Sequence, residues 1–290
     1  MLKIKTPTLR IHCWGGLGSQ LQALSFYLKV QSKFPNRNLQ LILHTGGITE
    51  RRSEIDFISD RINLVSIHDF KSKVEKTNVN FLFRFNLRSI FKNLARNIFD
   101  YSRFVITNEN RVMAIMPWTT QVRCSYSNIK LSSDLIKNLG EIVQFPIKKI
   151  DNNFIGVHLR IGDLVALKPE SLVDTSTINK LINNLDQKEK ILNKVIVYSD
   201  SELNLDSFDS LIGFMIELRN IDTLNTIFDL VGPRVFIGTN SKVSLWVAIF
   251  RYGYKIPGII LLPTSIFEIF NKAVTPIQQI DDFRVVPYTP

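Results

Sequence analysis

The residues of this chain best placed to do chemistry lie in Gly156-Val-His-Leu-Arg-Ile-Gly-Asp163. The apolar run 154–159 predicts a strand, and side chains alternate along a strand. His158 and Arg160 therefore share a face at its carboxyl end, followed by Gly162, which permits a tight turn, and by Asp163. A guanidinium there can hold a diphosphate through two parallel charge-assisted hydrogen bonds, which a lysine cannot reproduce. It can also neutralise the charge that grows on a departing phosphate. His158 can donate to the same phosphate or orient a second substrate. Asp163, an acid beside an arginine, is expected to stay ionised and to hold Arg160 or the loop rather than act as a base. A strand-end Arg–Asp salt bridge accounts for the same residues equally well.

A second segment, Gly15-Gly16-Leu-Gly18, follows the apolar run 9–14. Such a turn lets a backbone approach a phosphate or a sugar, and it also arises wherever a strand must enter a helix sharply. It departs from the GxGxxG dinucleotide fingerprint, which would need glycine at Leu21, and this speaks against a nicotinamide dehydrogenase. No Asp-x-Asp pair occurs to hold a divalent ion on a diphosphate. His12, His44, His68 and His158 are scattered, and Cys13 and Cys124 lie far apart, so neither a metal site nor a disulfide framework is expected.

These residues need elements to position them. Apolar runs predict strands over 9–14, 39–44, 63–67, 154–159, 195–198, 235–238 and 259–262. Helical spacing appears over 19–33, 81–99, 176–185, 222–230 and 242–250. Strands that alternate with helices imply parallel βαβ units, whose ligands sit beyond the carboxyl ends of the strands. A break over 144–153, with Pro146, Lys148-Lys149 and Asp151-Asn152-Asn153, divides the chain into two α/β domains, 1–148 and 149–290.

The chain has 290 residues, 45% of them hydrophobic and 21% charged, enough for two sizeable cores. Its formal net charge of +10 calls for an anionic partner. Over half of that excess falls in residues 71–111, where nine Lys and Arg face three acids. There Phe83, Leu87, Ile90, Phe91, Leu94 and Ile98 share one face of the expected helix 81–99, and Arg84, Arg88, Lys92 and Arg96 recur every fourth residue. Such a helix suits an anionic membrane surface, or simply packs with its charges in water. No apolar run reaches the ~18 residues of a membrane span, and the first residues lack a signal-peptide core, so a cytoplasmic location is expected. No RNP-like segment, zinc finger or helix-turn-helix pattern supports a nucleic-acid partner.

His158-Leu-Arg160-Ile-Gly162-Asp163 resembles the His-x-Arg-x-Gly-Asp motif of the GT-B fucosyltransferase superfamily, which includes α1,2-, α1,6- and protein O-fucosyltransferases. Three more segments agree in order. Gly15-Gly-Leu-Gly18-Ser-Gln20-Leu resembles the Gly-Gly-Leu-Gly-Asn-Gln opening of the α1,2 group. Tyr198-Ser199-Asp200 resembles the Ser-Asp step that ends the next donor-domain strand. The helix led by Asp222 and the stretch Gly238-Thr-Asn240-Ser241-Lys-Val-Ser244-Leu-Trp246 resemble the family's Asp-leading helix and Asn-Ser-Ser-Phe-Ser-Trp-Trp segment.

The resemblance implies a GT-B-like α/β fold, two Rossmann-like halves facing a central cleft, with the acceptor held mainly by the first half and a GDP-sugar mainly by the second. It implies an inverting, metal-independent transfer of fucose from GDP-fucose to a glycan hydroxyl, with no cofactor besides the nucleotide-sugar donor. Arg160 becomes the principal diphosphate ligand and His158 a neighbour of phosphate and sugar. Ser199 and Asp200 become nucleotide contacts, and Asn240, Ser241 and Ser244, at a helix start, phosphate contacts. Helix capping explains Ser241 and Ser244 as well. Gly15, Gly16, Gly18, Gln20, Asp163 and Asp222 complete the donor-side set. Asp200, Asp222 and His158 are the candidates for a base. A glycan or lipid-linked glycan is the expected acceptor, in bacterial surface-polysaccharide assembly. Ser19 stands where the family has Asn, Ile161 where the α1,2 group has a second Arg, and Leu245 where it has the first Trp. These departures leave open another nucleotide sugar, or a non-catalytic nucleotide- or glycan-binding relative.

Overall fold

The computed structural model describes residues 8–45, 52–67, 121–123, 130–146, 153–162, 165, 169–274 and 282–290. The chain divides into two compact units, residues 1–131 and 132–290. The expected basic helix over 81–99, with Arg84, Arg88, Lys92 and Arg96, lies outside the described residues.

The first unit contains β1 (Leu9–Trp14), α1 (Leu17–Lys33), β2 (Leu39–His44), β3 (Leu64–Ile67) and β4 (Gln121–Arg123). Its strands are all parallel, in the order β3-β2-β1-β4. α1 begins two residues before its expected start and buries every residue from Leu17 to Leu28, rather than a single apolar stripe. Among the polar residues this encloses, the Ser25 hydroxyl donates to the Gln22 carbonyl at 2.8 Å.

The second unit runs α2 (Ser133–Ile142), β5 (Ile155–Leu159), α3 (Thr175–Asn183), α4 (Gln187–Lys190), β6 (Lys194–Ser199), β7 (Met215–Arg219), α5 (Thr223–Leu230), β8 (Val235–Ile237), α6 (Lys242–Gly253), β9 (Gly258–Pro263), α7 (Thr264–Ala273) and β10 (Phe283–Tyr288). Its sheet is parallel throughout, in the order β7-β6-β5-β8-β9-β10. Counted from β5, that is the 3-2-1-4-5-6 order of a doubly wound, Rossmann-like sheet. Strands covered on both faces read as continuous apolar runs, and Ile155, Val157, Leu159, Val195, Val197, Val235 and Ile237 are fully buried. Three of the helices start where a side chain accepts from an otherwise unpaired N–H group: Ser132 from Leu135, Asp174 from Thr177 and Asp222 from Asn225.

α2 lies ahead of the 148/149 boundary expected from the sequence, yet it packs in the second unit against α6. Two glycines allow this approach. A Cβ on Gly253 would sit 2.3 Å from Ile136 Cγ2, and one on Gly140 would sit 2.0 Å from the Tyr254 hydroxyl. Phe145 completes the seam, stacked at 4.8 Å on Tyr254 and 5.3 Å on Phe250. No helix among the described residues is long and apolar enough to cross a membrane. Gly253→Val, which drives a branched side chain into Ile136, is expected to cost on the order of 1–3 kcal/mol. A lowered urea midpoint with an unchanged slope would register that loss.

Candidate functional site

Ligands of an open parallel sheet sit beyond the carboxyl ends of the strands, at the point where strand order reverses. In the second unit that point lies between β5 and β8. His158 belongs to the end of β5, Arg160 comes directly after it, and Thr239 comes after β8. The two strand ends are laced together. The Arg160 N–H donates to Thr239 Oγ1 at 3.1 Å, and the Thr239 N–H donates to Ser244 Oγ at 2.9 Å. His158 Nδ1 lies 2.9 Å from the same Ser244 oxygen.

The carboxylate after β6 organises the loop that carries the arginine. Asp200 Oδ1 accepts from the Ile161 N–H at 2.8 Å and from the Gly162 N–H at 3.0 Å. Its Oδ2 lies 3.1 Å from Arg160 Nε, so the carboxylate takes that edge of the fork. Both side chains keep some exposure, 23% and 34%, and such a pair contributes only about 0–1 kcal/mol. Its consequence is orientation. A Cβ on Gly162 would lie 2.7 Å from Asp200 Oδ2, although Gly162 has no left-handed φ. Space, not backbone conformation, calls for glycine there. Asp163 lies outside the described residues; among those described, Asp200 is the acid paired with Arg160.

The remaining expected residues divide by what they already bond. Ser199 accepts from the Ser201 N–H at 3.1 Å and shapes the turn that presents Asp200. Ser241 caps α6, accepting from the Val243 N–H at 3.1 Å. Asn240 is a strut: its amide donates to the Ser171 carbonyl at 2.9 Å and accepts from the Ser265 hydroxyl at 2.7 Å. Ser244 is fully buried, so its hydroxyl serves His158 and Thr239 instead of a ligand. Asp222 caps α5 with one oxygen on the Asn225 N–H and the other on the Asn225 amide, at the end of β7, two strands from β5.

Two residues of the 238–246 stretch not singled out from the sequence also lie here. Thr239 ties Arg160 to the β8 side. Lys242 is exposed in the first turn of α6, which contains no acid. A cation at a helix start opposes the helix dipole by roughly 0.3–1 kcal/mol, an arrangement that an anion reverses. The signal for both was their place directly after β8. Arg160 and the α6 start thus bring positive charge to the adjoining ends of β5 and β8, where phosphate is a fitting ligand.

The first unit closes its glycine turn on itself. Gly15 adopts φ +119°, and its place against Ser19 Oγ leaves 2.7 Å for a Cβ. Gly16 accepts from the Ser19 and Gln20 N–H groups, and Gly18 lies inside α1. Gln20 donates to the Gly15 carbonyl at 3.2 Å and the Arg52 carbonyl at 2.9 Å, and accepts from the Glu54 N–H at 2.9 Å. Glu54 Oε1 in turn accepts from the Leu17 N–H at 3.0 Å. The chain's own carboxylate therefore occupies the start of α1, and Gly15, Gly16, Gly18 and Gln20 belong to a different unit from Arg160. Beside this turn Trp14 stacks on His44 at 4.3 Å, and His12 Nδ1 lies 2.8 Å from His44 Nε2.

Burial sets the charge of the histidines. Desolvation, reinforced by Arg160, pushes His158 down to about 3. Desolvation and Arg10 take His12 to about 4, and desolvation and His12 take His44 to about 3. Among the described residues, no three or more His, Cys, Asp and Glu are grouped so as to hold a metal ion.

No family model matches the sequence, and no curated protein matches it. Solved structures to which the chain is similar include an E. coli heptosyltransferase, WaaC, with ADP, at TM-score 0.46 and 10% identity over 95% of each chain. POFUT1 in complex with GDP-fucose gives TM-score 0.41 and 12% identity, over 85% of this chain and 95% of that one. The NodZ alpha-1,6-fucosyltransferase soaked with GDP-fucose gives 0.41 and 15%, over 84% and 92%.

Gly162→Ala is expected to fold yet bind inorganic diphosphate at least about tenfold more weakly by calorimetry, because it displaces Asp200 and with it Arg160. The histidines yield a pH dependence. Each is neutral in the folded chain and gains a proton once unfolded below about pH 6.5, so the unfolded state binds more protons and stability rises with pH. Each contributes a slope approaching about 1.4 kcal/mol per pH unit. Tm is expected to fall steadily from pH 7 to pH 5, and a flat profile would contradict the buried neutral rings.

Proposed function

We propose that this chain is a glycosyltransferase of the GT-B type, which binds a nucleoside-diphosphate sugar at the switch point of its second unit. In this reading it transfers fucose from GDP-fucose to a hydroxyl of a glycan or lipid-linked glycan. The observation that carries the reading is the Arg160 guanidinium, held at Nε by Asp200 beside the acid-free start of α6.

As the bond from sugar to phosphate lengthens, negative charge gathers on the leaving diphosphate. Arg160, paired with Asp200, and the first turn of α6 are in place before that charge develops, so little reorganisation is required when it appears. These groups supply the positive charge in this proposal, and no metal ion enters it. The three base candidates are otherwise engaged. Asp200 accepts two hydrogen bonds and pairs with Arg160, Asp222 caps a helix, and a histidine at about 3 is too weak a base near neutrality. Catalysis in this reading rests on leaving-group stabilisation, and the acceptor proton passes to a group other than these three.

A second reading, another nucleotide sugar as donor, is favoured by Ile161. Its side chain packs against the core of the second unit, so the position that carries a second arginine in the α1,2 group is apolar here. Docking of the basic segment at Arg84, Arg88, Lys92 and Arg96 on an anionic membrane, at its cytoplasmic face, would bring the enzyme to a lipid-linked acceptor.

A thermal-shift panel of GDP-, UDP-, CMP- and dTDP-sugars tests the donor, since a ligand that binds only the folded state raises Tm. GDP-fucose is expected to give the largest rise. Arg160→Ala is expected to remain folded and to lose on the order of 10²–10³ in kcat; turnover at the wild-type rate would sink the assignment.

A further inference from the structure

The hydroxyl of Ser244 has one hydrogen to give and two lone pairs to offer. It is fully buried. The Thr239 N–H takes one lone pair at 2.9 Å, and the remaining neighbour within hydrogen-bond distance among the described residues is His158 Nδ1, also at 2.9 Å. Two arrangements satisfy those distances. If Nδ1 carried the ring proton, it would donate to Ser244 and leave the hydroxyl hydrogen with no acceptor in a fully enclosed position. If the hydroxyl donates to Nδ1, the N–H of Thr239, the hydroxyl hydrogen and the Nδ1 lone pair are all paired. Buried polar groups are paired in native proteins, which selects the second arrangement. The ring proton then resides on Nε2. His158 is 4% exposed, and among the described residues its one hydrogen-bond contact is at Nδ1, so no protein group there takes the Nε2 proton.

We infer that Ser244 is a positioning residue that fixes His158 as its Nε2–H tautomer, a neutral donor offered to an oxygen of the diphosphate gripped by Arg160. This rests on the functional reading above for the identity of the ligand, and on the hydrogen-bond geometry alone for the tautomer. One loop governs both functional side chains of β5: Thr239 Oγ1 receives the Arg160 backbone, and the Thr239 N–H orients the hydroxyl that orients His158. His158 accordingly gives a hydrogen bond to the leaving group and takes no proton from the acceptor. Burial of the ring keeps it in that neutral form.

The test is nitrogen NMR of the ¹⁵N-histidine-labelled protein. Four histidines make assignment possible by single replacement to Gln, and by elimination should His158→Gln fail to fold. His158 is expected as a pure Nε2–H tautomer that does not change from pH 5 to pH 8. An Nδ1–H ring, or a titration inside that window, overturns the inference. In Ser244→Ala the ring is expected to become a mixture of the two neutral tautomers, and a pure Nε2–H signal in that variant removes the role of Ser244. Addition of GDP is expected to move the Nε2–H resonance. If GDP raises Tm while that resonance stays in place, the donor role fails and the functional reading stands. If no nucleoside diphosphate binds at all, the functional reading fails, while the tautomer measured in the free protein still decides the part that concerns Ser244.

Discussion

One carboxylate sets the geometry on which the candidate site depends. Asp200 accepts two backbone N–H groups and pairs with one guanidinium edge, so a single side chain ties the turn after β5 to Arg160. An isolated Arg–Asp pair with this exposure contributes little to stability. Hydrogen bonds to a charged acceptor are worth more, roughly 1.5–3 kcal/mol each, and here two of them hold backbone. The arginine is therefore aimed by a loop that the same acid has already made rigid. Gly162 is the condition for this, because any larger residue would occupy the space of Asp200 Oδ2.

The sheet explains why these groups meet. β5 is central, buried on both faces and flanked by β6 and β8, so the loops leaving those two strands arrive at the same rim. β6 supplies Asp200 and β8 supplies Thr239 and the start of α6. Close approach of α6 to β8 also depends on a glycine: a Cβ on Gly238 would lie 2.7 Å from Ser244 Cβ. That approach buries Ser244 beneath His158. The tight packing that holds the core thus enforces the neutrality of the histidine at its edge, and stability and site chemistry share one set of contacts.

The central strands were legible because burial on two faces writes itself as uninterrupted apolar sequence. The runs at β1 and β2 match the observed strands residue for residue, and those at β5, β6, β8 and β9 match within one residue at either end. β7 was not legible: Met-Ile-Glu-Leu-Arg is an edge strand whose Met215 is exposed, with Glu217 and Arg219 paired to each other. α7 leaves β9 at Pro263 with no side-chain cap to mark its start, and β10 contains a proline that an edge strand tolerates. In the site, His158 and Arg160 could be read from alternation at a strand end. Asp200 was singled out as a nucleotide contact, but its pairing with Arg160 was not legible, because that partner arrives on the next strand. The Ser244–His158 bond joins residues that no local pattern connects.

The two glycine-bearing strand ends show how the same turn can serve opposite purposes. After β1 the start of α1 already receives a carboxylate from Glu54, which Gln20 steadies through the Glu54 N–H. A phosphate arriving there would have to displace an anion from the N–H it binds, against like-charge repulsion. After β8 the start of α6 has no acid in its first turn and presents Lys242. Under the proposed function, electrostatics therefore favours the second unit for the donor's diphosphate. The first unit offers something else at its strand ends: a partly buried Trp14 stacked on two histidines that burial keeps uncharged. An apolar ring face with neutral polar edges suits an uncharged partner better than a phosphate. Under the proposed function, that division assigns the charged donor to one unit and the neutral acceptor to the other, and it follows from where each helix start finds its counter-charge.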